Sequence, residues 1–172
     1  LSGAVVRQLA QGMEQIVRIE LSISASDRAT AGTSVATAIL SYAGQPVPLR
    51  WGGSTTTATG WHLLRREYYA LPGTAPLRRL VALVDVPDHT ILPRALPGCP
   101  DTVFRAGPEF AFQLLAVWLL SWPVRWGWLG SLAPLARYLR PLQRLTAPLC
   151  SDRSAMAVRL RGRIDGNVAE RG

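Results

Sequence analysis

Ile16-Val17-Arg18-Ile19-Glu20-Leu21-Ser22-Ile23-Ser24 alternates apolar and polar side chains without a break. A period of two matches the pleat of a strand, so Val17, Ile19, Leu21 and Ile23 share one face, with Arg18, Glu20, Ser22 and Ser24 on the other. This predicts a sheet with one face packed on a core and one wet, as in antiparallel or mixed sheets. Near the other end of the chain Met156, Val158 and Leu160 alternate with Ala157, Arg159 and Arg161, and Arg163 continues the basic face. The two strands are expected to face the same core. Asp165-Gly166-Asn167 then signals a hairpin turn, and the strand that should follow it is expected to lack its partner, because the sequence ends at Gly172.

Outside these strands the pattern is mixed. Ser2 to Met13 reads as a short helix with Val5, Val6, Leu9 and Met13 on one side. The small-residue loop from Ala25 to Thr33 feeds a helix over Ser34–Ala43, with Thr33 or Ser34 as N-cap and Gly44 as its stop. Free N–H groups at that helix start, with Arg28 nearby, could receive an anion; a plain capped helix is the simpler reading. Val47 to Trp51 and the tract up to Gly60-Trp61 suggest two strands with a loose, polar connection. Leu80–Val84 is short and continuously apolar, as a central strand covered on both faces would be. Asp85 or Asp88 can cap a short helix that Pro93 and Pro97 stop, and Thr102–Arg105 reads as a further strand.

The longest apolar run begins at Phe110 and reaches Val124; Trp118, Trp122, Trp126 and Trp128 crowd into and just beyond it. Leu132, Leu135, Leu139 and Leu142 then recur at steps of three and four, with Arg137, Arg140 and Arg144 beside them. The spacing predicts a helical hairpin over 109–150 that turns near Gly127–Ser131 and is interrupted at Pro141. At 1.5 Å per residue the first helix rises about 22 Å, short of the ~20 residues that cross a hydrocarbon core. It is therefore core, a subunit interface, or an interfacial lipid contact through 110–128 anchored by Trp and Arg. Covering Phe112, Leu115, Trp118, Leu119 and Trp122 together needs more surface than a one-sided sheet offers, so part of this helix should stay exposed.

Composition narrows the chemistry. All 19 basic residues are arginine, which excludes a lysine Schiff base or P-loop lysine within these 172 residues. The formal charge of +8 is scattered and joins no nucleic-acid-binding motif, so no nucleic-acid partner is expected. Cys99 and Cys150 stand alone, which points to two free, buried or semi-buried thiols in a reducing, cytoplasmic compartment and to no metal site. His62 reads as a partly exposed strand histidine. No G-x-G-x-x-G follows a strand, so these residues by themselves are expected to bind no NAD(P). With Leu1 first and no initiator Met, the sequence reads as an excerpt of a longer one. The residues support an α+β domain: a mixed or mostly antiparallel sheet, helices on one face, and an inserted apolar helical hairpin.

The order of segments resembles the C-terminal part of saccharopine-dehydrogenase-like oxidoreductases. The matching stretches are Val17–Ser24, Ala31–Ile39, Val84-Asp85-Val86-Pro87-Asp88 through Leu92-Pro93, and the apolar helix after Gly107. Ser151-Asp152-Arg153-Ser154-Ala155-Met156, leading into Arg161-Gly162, completes them. The resemblance implies that residues 1–13 are the last helix of a preceding Rossmann domain that binds NAD(P). Residues 1–172 would then be an incomplete α+β domain that closes over substrate and supports a homodimer. The positions expected to face the substrate cleft are Arg28, Gly32, Thr33, Ser151, Asp152 and Arg153; no catalytic residue is carried over.

Overall fold

The computed structural model describes residues 2–26, 33–70, 73–138, 148 and 151–172. Strand β1 (Gln15–Ser24) lies at the centre of the sheet, as its alternation requires. It pairs in parallel with β6 (Asp101–Gly107) and antiparallel with β7 (Ala155–Ile164). The sheet continues from β7 to β8 (Asn167–Arg171) and from β6 to β2 (Pro46–Trp51) and β3 (Ser54–Thr59). Strand β5 (Leu77–Leu83) joins β6 only at Ala82 and Leu83, and over the rest of its length pairs with β4 (Arg65–Tyr69). The fold is α+β, with a mixed, open eight-stranded sheet.

The expected burial of β1 holds at Ile19 and Leu21, which are 0% and 1% exposed, and fails at Val17 and Ile23, which are 48% and 37% exposed. The cause at Val17 is a β-bulge: Ile16 pairs with Gly162 and Arg18 with Arg161, which leaves Val17 as the extra residue and turns Ile16 inward instead. Gly162 permits this close approach, since a Cβ there would sit 2.1 Å from the Gln15 carbonyl oxygen. Val158 and Leu160 join Ile19 and Leu21 in one cluster with Val6 and Leu92, and Met156 packs against it partly buried.

The helices share the apolar face. Helix α1 (Ser2–Leu9) ends before Gly12, which has φ +76°, and contributes Val6; α3 (Asp88–Ala95) contributes Leu92. Pro93 does not stop α3 as expected but lies buried inside it, and Asp88 accepts a hydrogen bond from Ser2 Oγ at 2.6 Å rather than capping its own helix. Helix α2 (Thr33–Ser41) and α4 (Ala111–Arg125) build a second cluster on the same face. In it Leu40, Trp61, Val84, Leu114 and Val124 are buried, with Phe104 and Ala106 of β6 packed partly buried against them.

Helix α4 turns only a narrow stripe inward: Leu114, Val117, Ser121 and Val124, at steps of three and four. It ends at Gly127, which has φ +77° and donates its N–H to the Val124 carbonyl at 3.0 Å. Leu132 returns to the core, and a short 3-10 turn follows over Ala133–Leu135. The rest of the expected second helix, including Leu139, Arg140, Pro141, Leu142 and Arg144, lies outside the described residues, as does Cys150.

Four further expectations are corrected. The strand after Asp165-Gly166 is not missing a partner: β8 pairs with β7 from Ile164–Asn167 to Leu160–Arg171. The connection between β2 and β3 is a two-residue turn at Gly52-Gly53, both at positive φ as such hairpins demand, and the Ser/Thr tract is itself the second strand. Cys99 is an exposed free thiol, not a buried one. Val81–Val84 is buried and Leu80 partly so, but the strand is not central, because β5 bends away from β6 to meet β4.

The largest correction concerns the polar face of the sheet. It is wet only in part, because the β4–β5 hairpin folds over Ser22, Glu20 and Arg159 while Arg161 and Arg163 stay exposed. Arg65 forms ion pairs with Glu20 at 2.5 Å and Glu67 at 3.0 Å, and Glu67 with Arg159 at 2.8 Å. Tyr69 and Leu77 pack with Ala155. The second layer is thus held by paired charges over half of its length and by a small apolar cluster over the rest.

Candidate functional site

Because β1 and β6 run parallel, Ser24 and Gly107 finish side by side. β7 is antiparallel to β1 and starts at Ala155, so the segment 151–154 opens at the same edge. In open sheets with parallel strands, ligands bind outside the carboxyl ends, where the connecting segments diverge. Three of the stretches that matter for the resemblance meet there: the end of β1, the turn after Gly107 and Ser151–Ser154.

Their meeting point is polar. Glu109 Oε1 accepts hydrogen bonds from the Ser151 N–H at 3.0 Å and the Ser151 hydroxyl at 2.5 Å, and from Arg79 Nη2 at 3.2 Å. The Glu109 and Arg79 side chains are 7% and 14% exposed, so the ion pair is largely removed from water. Arg79 reaches it because it alternates inward from β5 with Leu77 and Val81. Gly107 fixes the approach: an added Cβ would stand 2.1 Å from the Leu80 carbonyl oxygen. Ser26 donates its N–H to Ser154 Oγ at 2.9 Å and its hydroxyl to the Ser151 carbonyl. Ser24 is fully buried, and its Oγ has no hydrogen-bond partner among the described residues.

Of the expected cleft residues, Ser151 lies at the centre of this knot. Arg153 donates from its guanidinium to the Ala75 carbonyl at 3.0 Å and from its N–H to Ser151 Oγ at 3.4 Å, so it ties 151–154 to the β4–β5 connection. Asp152 is exposed beside them. Thr33 is the first residue of α2, and its side chain lies outside the described residues together with Arg28 and Gly32. Glu109, Arg79, Ser24 and Ser26 were not anticipated. The one legible signal was Glu109 itself, a lone carboxylate immediately before an apolar run, where burial demands a partner.

The hydroxyls of Ser26 and Ser151 and the Glu109 carboxylate bond to one another or to neighbouring backbone, and Ser24 is closed off from the surface, so the arrangement ties the three segments together. The Ser151 hydroxyl donates to a carboxylate already committed to Arg79, so this pair orients the loop and does not create a nucleophile. Both histidines lie elsewhere. His62 is not a half-exposed strand residue: it is 7% exposed, lies outside any strand, and its Nε2 is 2.9 Å from Ser121 Oγ, against Trp118 and Trp122. Burial, and then the Arg125 charge, lower its pKa. His89 Nε2 accepts the Phe104 N–H at 2.9 Å, which requires the neutral ring; burial lowers its pKa against the opposing pull of Asp85 and Asp88. Among the described residues no cluster of His, Cys, Asp and Glu could hold a metal ion.

A second surface stands out on α4. Phe112, Leu115, Leu119 and Leu120 are exposed, and Trp126 and Trp128 continue the apolar strip at 57% and 75% exposure. Trp118, Trp122, Trp126 and Trp128 form a ladder with ring centroids 5.7, 5.5 and 5.2 Å apart. Arg125 lies over the Trp122 ring at 5.1 Å. Among the described residues no helix is long and apolar enough to cross a membrane. No protein-family model matches the chain, and no curated protein matches it.

Proposed function

We propose that this chain is the substrate-binding and self-association domain of a saccharopine-dehydrogenase-like NAD(P)-dependent oxidoreductase, working with a Rossmann domain encoded upstream of Leu1. The observation that supports this reading is the convergence of Ser26, Glu109 and Ser151 at the carboxyl ends of β1 and β6. Stretches that carry the resemblance but stand far apart in sequence there become one polar edge, suited to close over a substrate held against a neighbouring domain. The hydride chemistry belongs to the dinucleotide, and the role of this domain is to position substrate and exclude water.

The test is dinucleotide binding followed by tryptophan fluorescence. The protein extended by its upstream reading frame should bind NADPH with a micromolar dissociation constant, and residues 1–172 alone should not. Micromolar binding by residues 1–172, or none by the extended protein, overturns the reading.

A second reading follows from α4. Its exposed Leu and Trp side chains form a larger apolar strip than single scattered residues account for, and such strips mark contact surfaces. In the oxidoreductase reading this strip is the homodimer interface; in the alternative, the chain is a non-catalytic module that rests on lipid, with Trp and Arg at the interfacial depth. Light scattering after size exclusion separates them. A dimer in detergent-free buffer that L119E/W126E converts to monomer supports the first, and aggregation relieved by lipid vesicles supports the second. A monomer indifferent to lipid defeats both.

A further inference from the structure

Helix α4 is apolar on the face turned away from the core as well as on the face turned in. Phe112, Leu115, Leu119, Trp122 and Trp126 recur at steps of three and four, opposite the stripe that Leu114 and Val124 bury, and all but the half-buried Trp122 are exposed. The helix carries only three polar side chains: Gln113, Ser121, which is buried against His62, and Arg125 in the last turn. Leu119, Leu120, Trp122, Pro123 and Trp126 enclose an open recess of about 530 Å³ lined by apolar side chains alone. A helix that faced water on this side would carry polar residues there, so the strip is a contact surface.

The charge around the strip says what kind of surface it meets. From Phe110 to Ser151 the sequence has four arginines, Arg125, Arg137, Arg140 and Arg144, while all 11 acidic residues lie outside this stretch. Half of the formal charge of +8 therefore comes from this one segment. Arg125 and Arg137 are exposed, and among the described residues neither forms an ion pair. Each lies instead against a ring at the margin of the strip, Arg125 over Trp122 at 5.1 Å and Arg137 over Tyr138 at 4.8 Å. Glu109, at the start of the helix, is buried and bound to Arg79 and Ser151, and Asp85 acts on Tyr42 and His89. A second copy seated on this strip would present the same patch, arginines included, with no carboxylate to meet them.

We propose that the outer face of α4, continued by Trp126, Trp128 and Leu129, docks on an anionic lipid surface, with Arg125 and Arg137 on the headgroup phosphates. It rests on the lipid reading of α4 and adds the sign of the charge that the lipid must carry. The helix lies in the plane of the interface, because its length of about 22 Å is short of a span. Its leucines then reach the acyl boundary, and the tryptophans sit at the depth of the headgroups, where an amphipathic ring is most stable. The arginines extend from that depth back to the phosphates.

The experiment is co-sedimentation with vesicles of phosphatidylcholine alone and of phosphatidylcholine and phosphatidylglycerol in equal parts, with tryptophan emission read alongside. The expected result is binding about tenfold or more tighter to the mixed vesicles, with a blue shift of emission, and loss of that preference at high salt. R125Q and R137Q should each weaken binding to the mixed vesicles about fivefold, and leave binding to the neutral ones unchanged. R161Q, which removes the same charge from the opposite face of the sheet, should alter neither. L119E/W126E should remove binding to both; the two positions are exposed, so the fold is kept, as far-ultraviolet circular dichroism checks. Equal binding to the two vesicles, or wild-type behaviour of R125Q/R137Q, overturns the proposal and leaves the lipid reading standing. Binding to neither vesicle overturns both. A dimer in lipid-free buffer that L119E/W126E splits and vesicles do not dissociate puts a second copy on the strip and overturns both as well.

Discussion

Glu67→Ala is expected to destabilise the protein by about 1–3 kcal/mol, between a solvated surface bridge and a fully buried pair, because the Arg65 and Arg159 side chains stay 40% and 29% exposed. The Glu67 side chain is 3% exposed and divides its two oxygens between Arg65 at 3.0 Å and Arg159 at 2.8 Å. Alanine takes from Arg159 its carboxylate partner and leaves Arg65 with Glu20 alone. The carboxylate is what lets the β4–β5 hairpin lie on a face lined by arginine. Urea unfolding of the wild type, E67A, R159A and E67A/R159A gives the test as a double-mutant cycle. The two single losses should be strongly non-additive. A loss below about 1 kcal/mol for E67A would mean that the hairpin does not seal this face and that the pair behaves as a solvated surface bridge.

Ile19→Ala is expected to cost about 2–5 kcal/mol, from lost transfer energy and the cavity left between α1, α3 and the sheet. Ile19 is 0% exposed and packs in the cluster that contains Val6, Leu92 and Leu160. The informative comparison is Val17→Ala, two residues away on the same period. The bulge turns Val17 out to 48% exposure, so this change should stay within about 0.5 kcal/mol. Alternation alone makes the two residues equivalent. Chemical denaturation of both variants distinguishes the bulged register from a regular one, and equal losses would rule the bulge out.

Both predictions turn on what periodicity can and cannot carry. The apolar-polar alternation of β1 and β7 was enough to infer a sheet with one apolar face, because a side-chain period of two has no other simple reading. The apolar run after Gly107 was enough to infer a helix that the rest of the chain could not cover. Turn chemistry at Asp165-Gly166 was also sufficient, although its strand partner was thought missing. The β4–β5 hairpin left a weaker trace: in Arg65-Arg66-Glu67-Tyr68-Tyr69 the inward residues are Arg65, Glu67 and Tyr69, and two of these three carry charge. Charge at alternate positions reads as solvent exposure until its partners are known.

The candidate site divides in the same way. Ser151 and Arg153 were legible as a polar segment at a strand start, and Arg28, Gly32 and Thr33 as a small-residue loop feeding a helix. Glu109 and Arg79 were not, since neither belongs to a motif and each acquires its role only from the other.

Local pattern by itself therefore determined most of the strands and helices, β4 excepted, and which face of β1 carries the apolar core. Only the tertiary structure decided what lies on the other face. The reason is electrostatic and non-local. Whether an arginine or glutamate is left in water or buried depends on an opposite charge arriving from elsewhere, as Glu67 meets Arg159 from 92 residues away. No spacing within a strand encodes that encounter, and it is the encounter that lays a second layer over part of a face that the pattern alone reads as wet.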